Sequence, residues 1–173
     1  MNETPEFSRM IDLRQIVAAP ITLTATPEER AALARRFDLV RVDRLAATLT
    51  LVAEGSTVTA DGRLDAAWVQ SCAVSGEDLA QSADEPIALR FVPARTDHAP
   101  DEEIDLTESE LDEIEYTGTA FDLGEAVAQS LALAIDPFAA GPDAEAARAA
   151  AGIVNAEATG PFAALAGLKV KKD

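Results

Sequence analysis

Two long runs of alternating apolar and polar residues, separated by a short turn, constrain the fold of this 173-residue chain most strongly. In the first run, Leu45–Leu51, every odd position is apolar, and threonine occupies two of the positions between. In the second run, Val58–Cys72, the even positions carry apolar residues or glycine, except for Gln70. Because successive side chains of a strand point to opposite faces, these runs predict an antiparallel hairpin with one buried and one solvated face.

Other segments extend this sheet. Ile21–Thr24 alternates in the same way and predicts a short strand at an edge. The alternation resumes at Ile87 and ends at Pro93, and Ile114–Tyr116 is short and apolar enough for a last strand. Phe7–Val17 has a mixed pattern that is compatible with a first strand.

Two helices are predicted by their start signals. Thr26, Pro27 and Glu29 form a capping-box pattern, after which Leu33 and Phe37 lie one turn apart. Asp122 is followed three residues later by Glu125, and a stripe at helical spacing runs from there to a stop at Asp136-Pro137. The stripe consists of Leu123, Val127, Leu131 and Ala134. Residues 143–151 are rich in alanine and predict a third helix, and Pro161–Leu165 a last short helical turn.

These elements predict an α+β fold with a small, hairpin-centred antiparallel sheet of three to five strands, packed helices and an acidic loop. We expect one domain over residues 1–138, including the acidic loop at about 96–112, and an Ala-rich C-terminal extension over residues 139–173. The polar, acidic first residues do not have the pattern of a secretory signal, so we expect a cytoplasmic protein.

The acidic residues are concentrated in one block. Residues 96–147 contain fifteen Asp or Glu and no Lys or Arg, which accounts for −15 of the net charge of −17. Such a surface repels a phosphate backbone, because nucleic-acid binding relies on Lys and Arg to displace counterions. The block therefore argues against direct nucleic-acid binding and favours a basic partner. Charge alone is explained equally well if the acidic residues only keep a flexible loop solvated.

Catalytic and metal-binding patterns are weak. The single histidine, His98, and the single cysteine, Cys72, make no convincing metal site, and we expect no cofactor. An EF-hand beginning at Asp101 is rejected because Leu106 takes the position where glycine is required. Cys72 has no cationic neighbour to lower its pKa, so a buried structural cysteine is expected, and Trp68 is expected in the core. We therefore expect no enzyme.

Several segments, in order, resemble the YceD-like family of large ribosomal RNA subunit accumulation proteins. They span nearly the whole chain, and their order and spacing carry the resemblance. The segments are Ala25–Phe37, Leu45–Ala47 leading to Val58–Leu64, Gln70–Glu77 with the strand Ile87–Val92, Phe121–Leu133 with Asp136–Phe138, and Pro161–Leu165 with Leu168–Lys169.

The resemblance implies a non-enzymatic role in biogenesis of the large ribosomal subunit. Many members carry a second cysteine three residues after the first, where this chain has Ser75, so no zinc site is expected. The chain resembles the cysteine-poor, alphaproteobacterial-type branch. The resemblance supplies no catalytic residues.

Charge and resemblance together predict a docking surface for a basic ribosomal protein or a large-subunit precursor particle. Apolar anchors are expected at Ile104, Leu106, Leu111 and Ile114. A smaller rRNA contact by Arg30, Arg35 and Arg36 of the first helix has less support. The predicted partner-binding residues are Asp101, Glu102, Glu103, Asp105, Glu108, Glu110, Asp112, Glu113 and Glu115.

Two other classes of function stay open. An acidic adaptor or chaperone-like protein for an unrelated basic partner would show the same salt dependence. A hydrolase with a carboxylate pair would need a closed pocket lined by acids near the sheet.

Overall fold

The structure is a computed structural model, which describes residues 5–94 and 113–153. These residues form three α-helices, seven strands and one 3-10 turn at Leu13–Gln15. The strands are β1 (Met10–Asp12), β2 (Pro20–Thr24), β3 (Arg41–Glu54), β4 (Thr57–Ser71), β5 (Asp78–Pro93), β6 (Glu113–Tyr116) and β7 (Ala120–Asp122). The helices are α1 (Pro27–Arg36), α2 (Leu123–Ala134) and α3 (Ala144–Ala150). The α+β prediction is confirmed.

The strands form a five-stranded sheet in the order β2-β3-β4-β5-β6 and a two-stranded sheet of β1 with β7. The pairs β2–β3, β3–β4 and β1–β7 are antiparallel, whereas β5 and β6 are parallel. The expectation of a purely antiparallel sheet is therefore wrong at this one edge. The edge position of β2 is as predicted.

The predicted hairpin is the centre of the large sheet. β3 and β4 pair from Glu54↔Thr57 to Arg41↔Val69, and Gly55 in the turn has φ of 64°. Positive φ costs glycine little, which explains the residue at this turn. Gly62 serves a different purpose, because a Cβ there would lie 1.9 Å from the carbonyl oxygen of Thr48. The two strands are thus closer at Gly62 than any other residue allows.

The outward face of the hairpin is polar, as predicted. The hydroxyl groups of Thr22 and Thr48 lie 3.2 Å apart across β2 and β3. Further along this face, Arg44 pairs with Asp65 at 2.6 Å, and Arg63 of β4 pairs with an aspartate of β5 at 2.7 Å. Exposed cross-strand pairs of this kind contribute little stability individually, but they keep a large flat face soluble.

The predicted helix signals are confirmed in atomic detail. Thr26 accepts from the backbone N–H of Glu29, whose carboxylate accepts in return from the N–H of Thr26 at 2.8 Å. At α2, the Asp122 carboxylate accepts from the N–H of Glu125 at 3.1 Å. Both caps satisfy N–H groups that a helix leaves without intrahelical partners. α2 ends at Ala134, just before the predicted stop.

One core joins the inner face of the sheet to α1 and α2. Leu33 of α1 and the predicted α2 stripe face this core, with Leu123, Val127 and Leu131 fully buried. Phe91 of β5 stacks on Phe121 of β7 with ring centroids 4.2 Å apart. The largest fully buried side chains are Phe7, Phe91, Phe121, Leu33, Leu45, Leu49, Leu51, Leu64, Leu123, Leu131, Val58 and Val69.

The chain divides into two compact units. The first comprises the described residues among 1–70 and 80–136 and contains the core above; the second comprises residues 71–79 and the described residues from 137 onward. In the second unit, the N–H of Ala73 donates to the carbonyl of Ala139 at 3.0 Å. The predicted boundary between a domain ending at 138 and an extension over 139–173 stays a prediction.

The start of β5 was not predicted. The alternation was expected to resume at Ile87, but the strand begins at Asp78. The half-buried positions before Pro86 are Leu79, Gln81 and Ala83, of which only Leu79 gives a strong apolar signal. β7 was also missed, because three residues are too few to establish a period.

No helix in the described part of the chain is both long and apolar enough to span a membrane.

Candidate functional site

The structure describes only one end of the predicted docking surface. Glu113 and Glu115 lie on β6, at the edge of the large sheet. The other predicted binding residues lie outside the described residues, as do His98 and three of the four predicted apolar anchors. These residues are Asp101, Glu102, Glu103, Asp105, Glu108, Glu110 and Asp112, with the anchors Ile104, Leu106 and Leu111.

The two glutamates of β6 differ in their surroundings. Glu113 lies opposite Arg90 of β5 and pairs with its guanidinium at 3.0 Å, with 16% of the Glu113 side chain exposed. Glu115 is exposed, and among the described residues it has no ion-pair partner. Glu115 is therefore the described carboxylate of this surface that is best placed to meet a cation.

A groove of about 520 Å³ lies beside Glu113, between α2 and the β5–β6 edge. We call it the β6–α2 groove. Ile114, the one described anchor, contributes to it and also packs against the core. The groove is lined by Ala88, Leu89, Glu113, Ile114, Ala126, Gln129, Ser130 and Leu133.

The polar groups of this groove are partly occupied within α2. Ser130 donates its hydroxyl to the carbonyl of Ala126 at 3.0 Å, and Gln129 donates to Glu125 at 3.1 Å. Leu133 is 89% exposed. The groove thus offers an apolar surface with one carboxylate at its edge, which suits a cationic segment that carries an apolar side chain.

Sequence reasoning missed this groove, although Leu133 carries a signal. At about 100° per residue, Leu133 lies roughly 120° from the centre of the buried stripe of α2. A large apolar side chain on the solvent side of an amphipathic helix is a feature that marks interaction surfaces when it adjoins other apolar residues.

Most arginines are already neutralised by acids. Of the ten arginines that the structure describes, eight form ion pairs and two, Arg30 and Arg35, do not. The pairs are Arg9–Glu29, Arg14–Asp12, Arg36–Glu6, Arg36–Glu125, Arg41–Asp43, Arg44–Asp65, Arg63–Asp84, Arg90–Glu113 and Arg148–Glu145.

Arg36 is one of the ion-paired arginines, and its charge is used within the fold. Its guanidinium holds Glu125 of α2 by two hydrogen bonds, at 2.7 and 2.8 Å, and Glu6 by a third at 2.9 Å. Hydrogen bonding to Glu125 raises the pKa of Arg36. The three arginines predicted as a possible rRNA contact are therefore not equivalent, and Arg36 ties α1 to α2.

Cys72 is buried, with 3% of its surface exposed, as predicted. Its sulfur accepts from the N–H groups of Gly141 and Ser75 at 3.3 Å each and of Val74 at 3.5 Å. These donors, Gly141 first, lower the pKa of the thiol to about 6. The sequence offers no cationic neighbour for this role, but backbone N–H groups stabilise a thiolate without any cation nearby.

Ser75 closes the turn after Cys72. Its hydroxyl donates to the carboxylate of Glu77 at 3.3 Å, and the N–H of Cys72 donates to the carbonyl of Glu77 at 2.7 Å. Across the ranges 5–94 and 113–153, no three His, Cys, Asp or Glu side chains are grouped to hold a metal ion.

Trp68 and Gln70 form a buried polar link in the first unit. The indole N–H donates to the Gln70 side-chain oxygen at 2.8 Å, and the Gln70 amide donates to the carbonyl of Asp136 at 2.6 Å. This link explains the polar exception in the alternating run, because the buried Gln70 amide finds a donor at its oxygen and an acceptor for its nitrogen. The prediction that Trp68 is a core residue is confirmed.

A family model described as large ribosomal RNA subunit accumulation protein YceD matches residues 60–169. Searches among characterised proteins and among solved structures each gave no significant match. The matched range includes β5, β6, the acidic block, α2 and the Cys72 turn.

Proposed function

The chain belongs to the YceD family of large ribosomal RNA subunit accumulation proteins, and on this premise we propose that it is a non-enzymatic, cytoplasmic factor in the assembly of the large ribosomal subunit. Its role is to support accumulation of the large-subunit rRNA. The family match is the single observation that carries this proposal.

The proposed mode of action is capture of a basic partner by the acidic block. A ribosomal protein must be basic to meet rRNA, and a surface of opposite charge attracts it and shields it before assembly. The concentration of fifteen acidic residues over residues 96–147 supports this mode, and so does the unpaired position of Glu115 on β6. The partner is a basic ribosomal protein or the basic face of a precursor particle.

The β6–α2 groove supplies the apolar part of the same surface. It extends from Glu113, a predicted binding residue, to the exposed Leu133 of α2. Charged rims steer a partner to the site, while buried apolar anchors slow its release. Together they give a surface whose affinity for a basic partner falls as the salt concentration rises.

The proposal is tested by affinity purification of the tagged chain from lysate at low and high salt, with and without ribonuclease. Large-subunit proteins that survive ribonuclease but leave at high salt are the expected result. Ribosomal proteins that disappear with ribonuclease would place the contact on rRNA instead. Basic partners without any ribosomal protein would favour the acidic adaptor.

Charge reversal locates the contact on the chain. The test variant replaces four acids of the block, Asp101, Glu103, Asp105 and Glu108, with lysine. The control replaces four exposed acids elsewhere, Glu54, Asp61, Asp78 and Glu85, and so changes the net charge equally. The block variant is expected to lose the large-subunit proteins, and equal loss in both variants would contradict a localised docking surface.

A further inference from the structure

A cavity of about 340 Å³ lies between α1 and the first residues of β3. One stripe of the helix forms one wall, and the connection into β3 forms the other. We call it the α1–β3 cavity. Its lining residues are Pro27, Arg30, Ala31, Ala34, Arg35, Leu39, Val40, Arg41, Val42 and Asp43.

This cavity is lined by arginines that no acid neutralises, whereas the other described arginines form ion pairs. Arg30 and Arg35, the two described arginines without an acidic partner, both line it. Arg41 also lines it, but its guanidinium is paired with Asp43 at 2.9 Å. The lining therefore carries a net charge of about +2, in a chain whose net charge is −17.

Arg30 is held in place by an irregularity of β3. The register between β3 and β4 shifts between Val42 and Arg44, so that Asp43 forms a β-bulge. A bulged residue is left outside the regular ladder, and the Asp43 carbonyl accepts from Nη1 of Arg30. The guanidinium is thus fixed by a neutral acceptor, which leaves its charge uncompensated.

Arg30 also has an unused donor inside the protein. Its Nε is buried and has no hydrogen-bond partner. Buried polar groups in native proteins are nearly always hydrogen-bonded, so an exception calls for a ligand or a functional reason. An oxyanion in the α1–β3 cavity would supply the negative charge that Arg30 and Arg35 lack, and a small shift of the Arg30 guanidinium toward it would give the side chain an additional acceptor.

We propose that the α1–β3 cavity binds a phosphate group, carried either by a small phosphorylated molecule or by an RNA strand. A phosphate monoester carries up to two negative charges, which matches Arg30 and Arg35, and guanidinium groups bind phosphate oxygens in pairs. The volume is at the lower end of ligand pockets. Apolar walls at Ala34, Leu39 and Val42 accommodate part of the group to which the phosphate is attached.

The site is tested by NMR titration of the ¹⁵N-labelled full chain at low salt. The probes are inorganic phosphate, ribose 5-phosphate and a short single-stranded RNA, with acetate as a carboxylate control. Phosphate and ribose 5-phosphate are expected to shift the amides of α1 and of residues 39–43, whereas acetate is not. Absence of shifts at the cavity with millimolar phosphate and with RNA would overturn the proposal.

Variants separate this site from general charge effects. Arg35→Gln removes an exposed side chain without an ion pair, so folding is not at risk, and it should weaken phosphate binding about tenfold. Arg30→Gln should weaken binding at least as much. Arg44→Gln, on β3 but ion-paired with Asp65 on the outward face, should change binding less than about twofold. An equal loss in the Arg44 and Arg35 variants would contradict a built site.

The RNA arm identifies the source of the phosphate. If the RNA shifts the same amides and loses affinity in Arg35→Gln, the cavity receives a phosphate of an RNA strand. If only the small phosphates bind, the ligand is a small phosphorylated molecule. This inference does not rest on the proposed function, since capture of a basic protein by the acidic block can fail while the cavity still binds phosphate.

Discussion

At the scale of single residues, the family segments recognised in the sequence have clear structural reasons. Gly62 allows β3 and β4 to approach, and Gly124 lies where a Cβ would be 2.6 Å from the carbonyl oxygen of Phe7. Cys72 and Ser75 build a turn around a buried sulfur. The residue types at these positions are required by the backbone groups that lie close to them. The sequence alone shows the glycine or cysteine but not the reason for it.

Cys72 is expected to titrate far below an ordinary thiol. Because N–H groups of Gly141, Ser75 and Val74 stabilise the thiolate, its pKa is lowered to about 6. The rate of alkylation by iodoacetamide should therefore reach half of its plateau near pH 6, although the plateau is low since the sulfur is buried. The same chain in denaturant is the control, with a midpoint at about pH 8.5. Equal midpoints would contradict the hydrogen-bonded sulfur.

Replacing Gly62 with alanine should destabilise the hairpin. The new methyl group meets backbone, at the carbonyl of Thr48, and cannot be relieved by a side-chain rotation. Overpacking of this kind costs about 1–3 kcal/mol. Urea unfolding monitored by circular dichroism measures the loss. Gly55→Asn is the control, because a Cβ at Gly55 meets nothing within 4 Å and asparagine tolerates positive φ.

At the scale of elements, what could be predicted from sequence depended on the strength of the local signal. The hairpin and both capped helices were predicted because period and capping are local properties. The start of β5 at Asp78 was missed because Leu79 is the one strongly apolar residue among its half-buried positions before Pro86. The parallel pairing of β6 could not be predicted, since pairing direction depends on the path of the chain between Pro93 and Glu113 rather than on either strand.

The candidate sites, like the elements, were predictable only where a local signal marked them. The acidic block was evident from composition, because charge sums over residues without reference to structure. The β6–α2 groove and the α1–β3 cavity were not found, because each depends on how a helix packs against a strand, which no local sequence pattern shows. The bulge at Asp43, which fixes Arg30, leaves no mark in the sequence of β3.

Asp122 should be the more important of two helix-cap aspartates. Its carboxylate accepts from Ser8 Oγ at 2.6 Å, from the N–H of Arg9 at 2.7 Å, and from the N–H of Glu125. Asp122→Ala should therefore lower the free energy of unfolding by about 2 kcal/mol. Asp143→Ala is the control, because Asp143 precedes α3 without a side-chain cap hydrogen bond, and its loss should cost less than about 0.5 kcal/mol. An equal loss of unfolding free energy in the two variants would contradict the greater importance of Asp122.

Acid should weaken the links between elements that Glu29 and Glu125 make. Hydrogen bonds from Arg9 lower the pKa of Glu29, and those from Arg36 lower the pKa of Glu125. Since both folded-state pKa values lie below the unfolded value of about 4.3, the stabilisation is complete above that pH. It is lost as the pH falls through the folded-state values.

Urea unfolding between pH 7 and pH 3 measures this dependence. Glu125→Gln should lower stability at pH 7 and flatten the decline below pH 4.5. Glu28→Gln, an exposed neighbour without an ion pair among the described residues, should leave the decline unchanged. A decline in Glu125→Gln as steep as in the unmodified chain would show that this carboxylate is not linked to folding.

At the scale of the whole molecule, most of the described arginines form ion pairs within the fold, whereas many of the described acids have no cationic partner. Eight described arginines are neutralised locally, so the acidic block is not balanced by an equally large basic face. Arg30 and Arg35, which have no acidic partner, form a small cationic site in the α1–β3 cavity. A chain of this kind can attract a basic protein over a distance and still hold one phosphate group, because burial and fixed geometry limit screening at the smaller site.

Leu133 tests whether docking also has an apolar component. Because this side chain is 89% exposed, Leu133→Gln should leave the melting temperature unchanged. If the β6–α2 groove anchors the basic partner, the variant should recover several-fold less large-subunit protein at intermediate salt, where steering by charge is already weakened. Val17→Gln, at another exposed apolar residue, is the matched control. Full recovery by the Leu133 variant would restrict the docking surface to charge, since the groove would then contribute nothing to the lifetime of the complex.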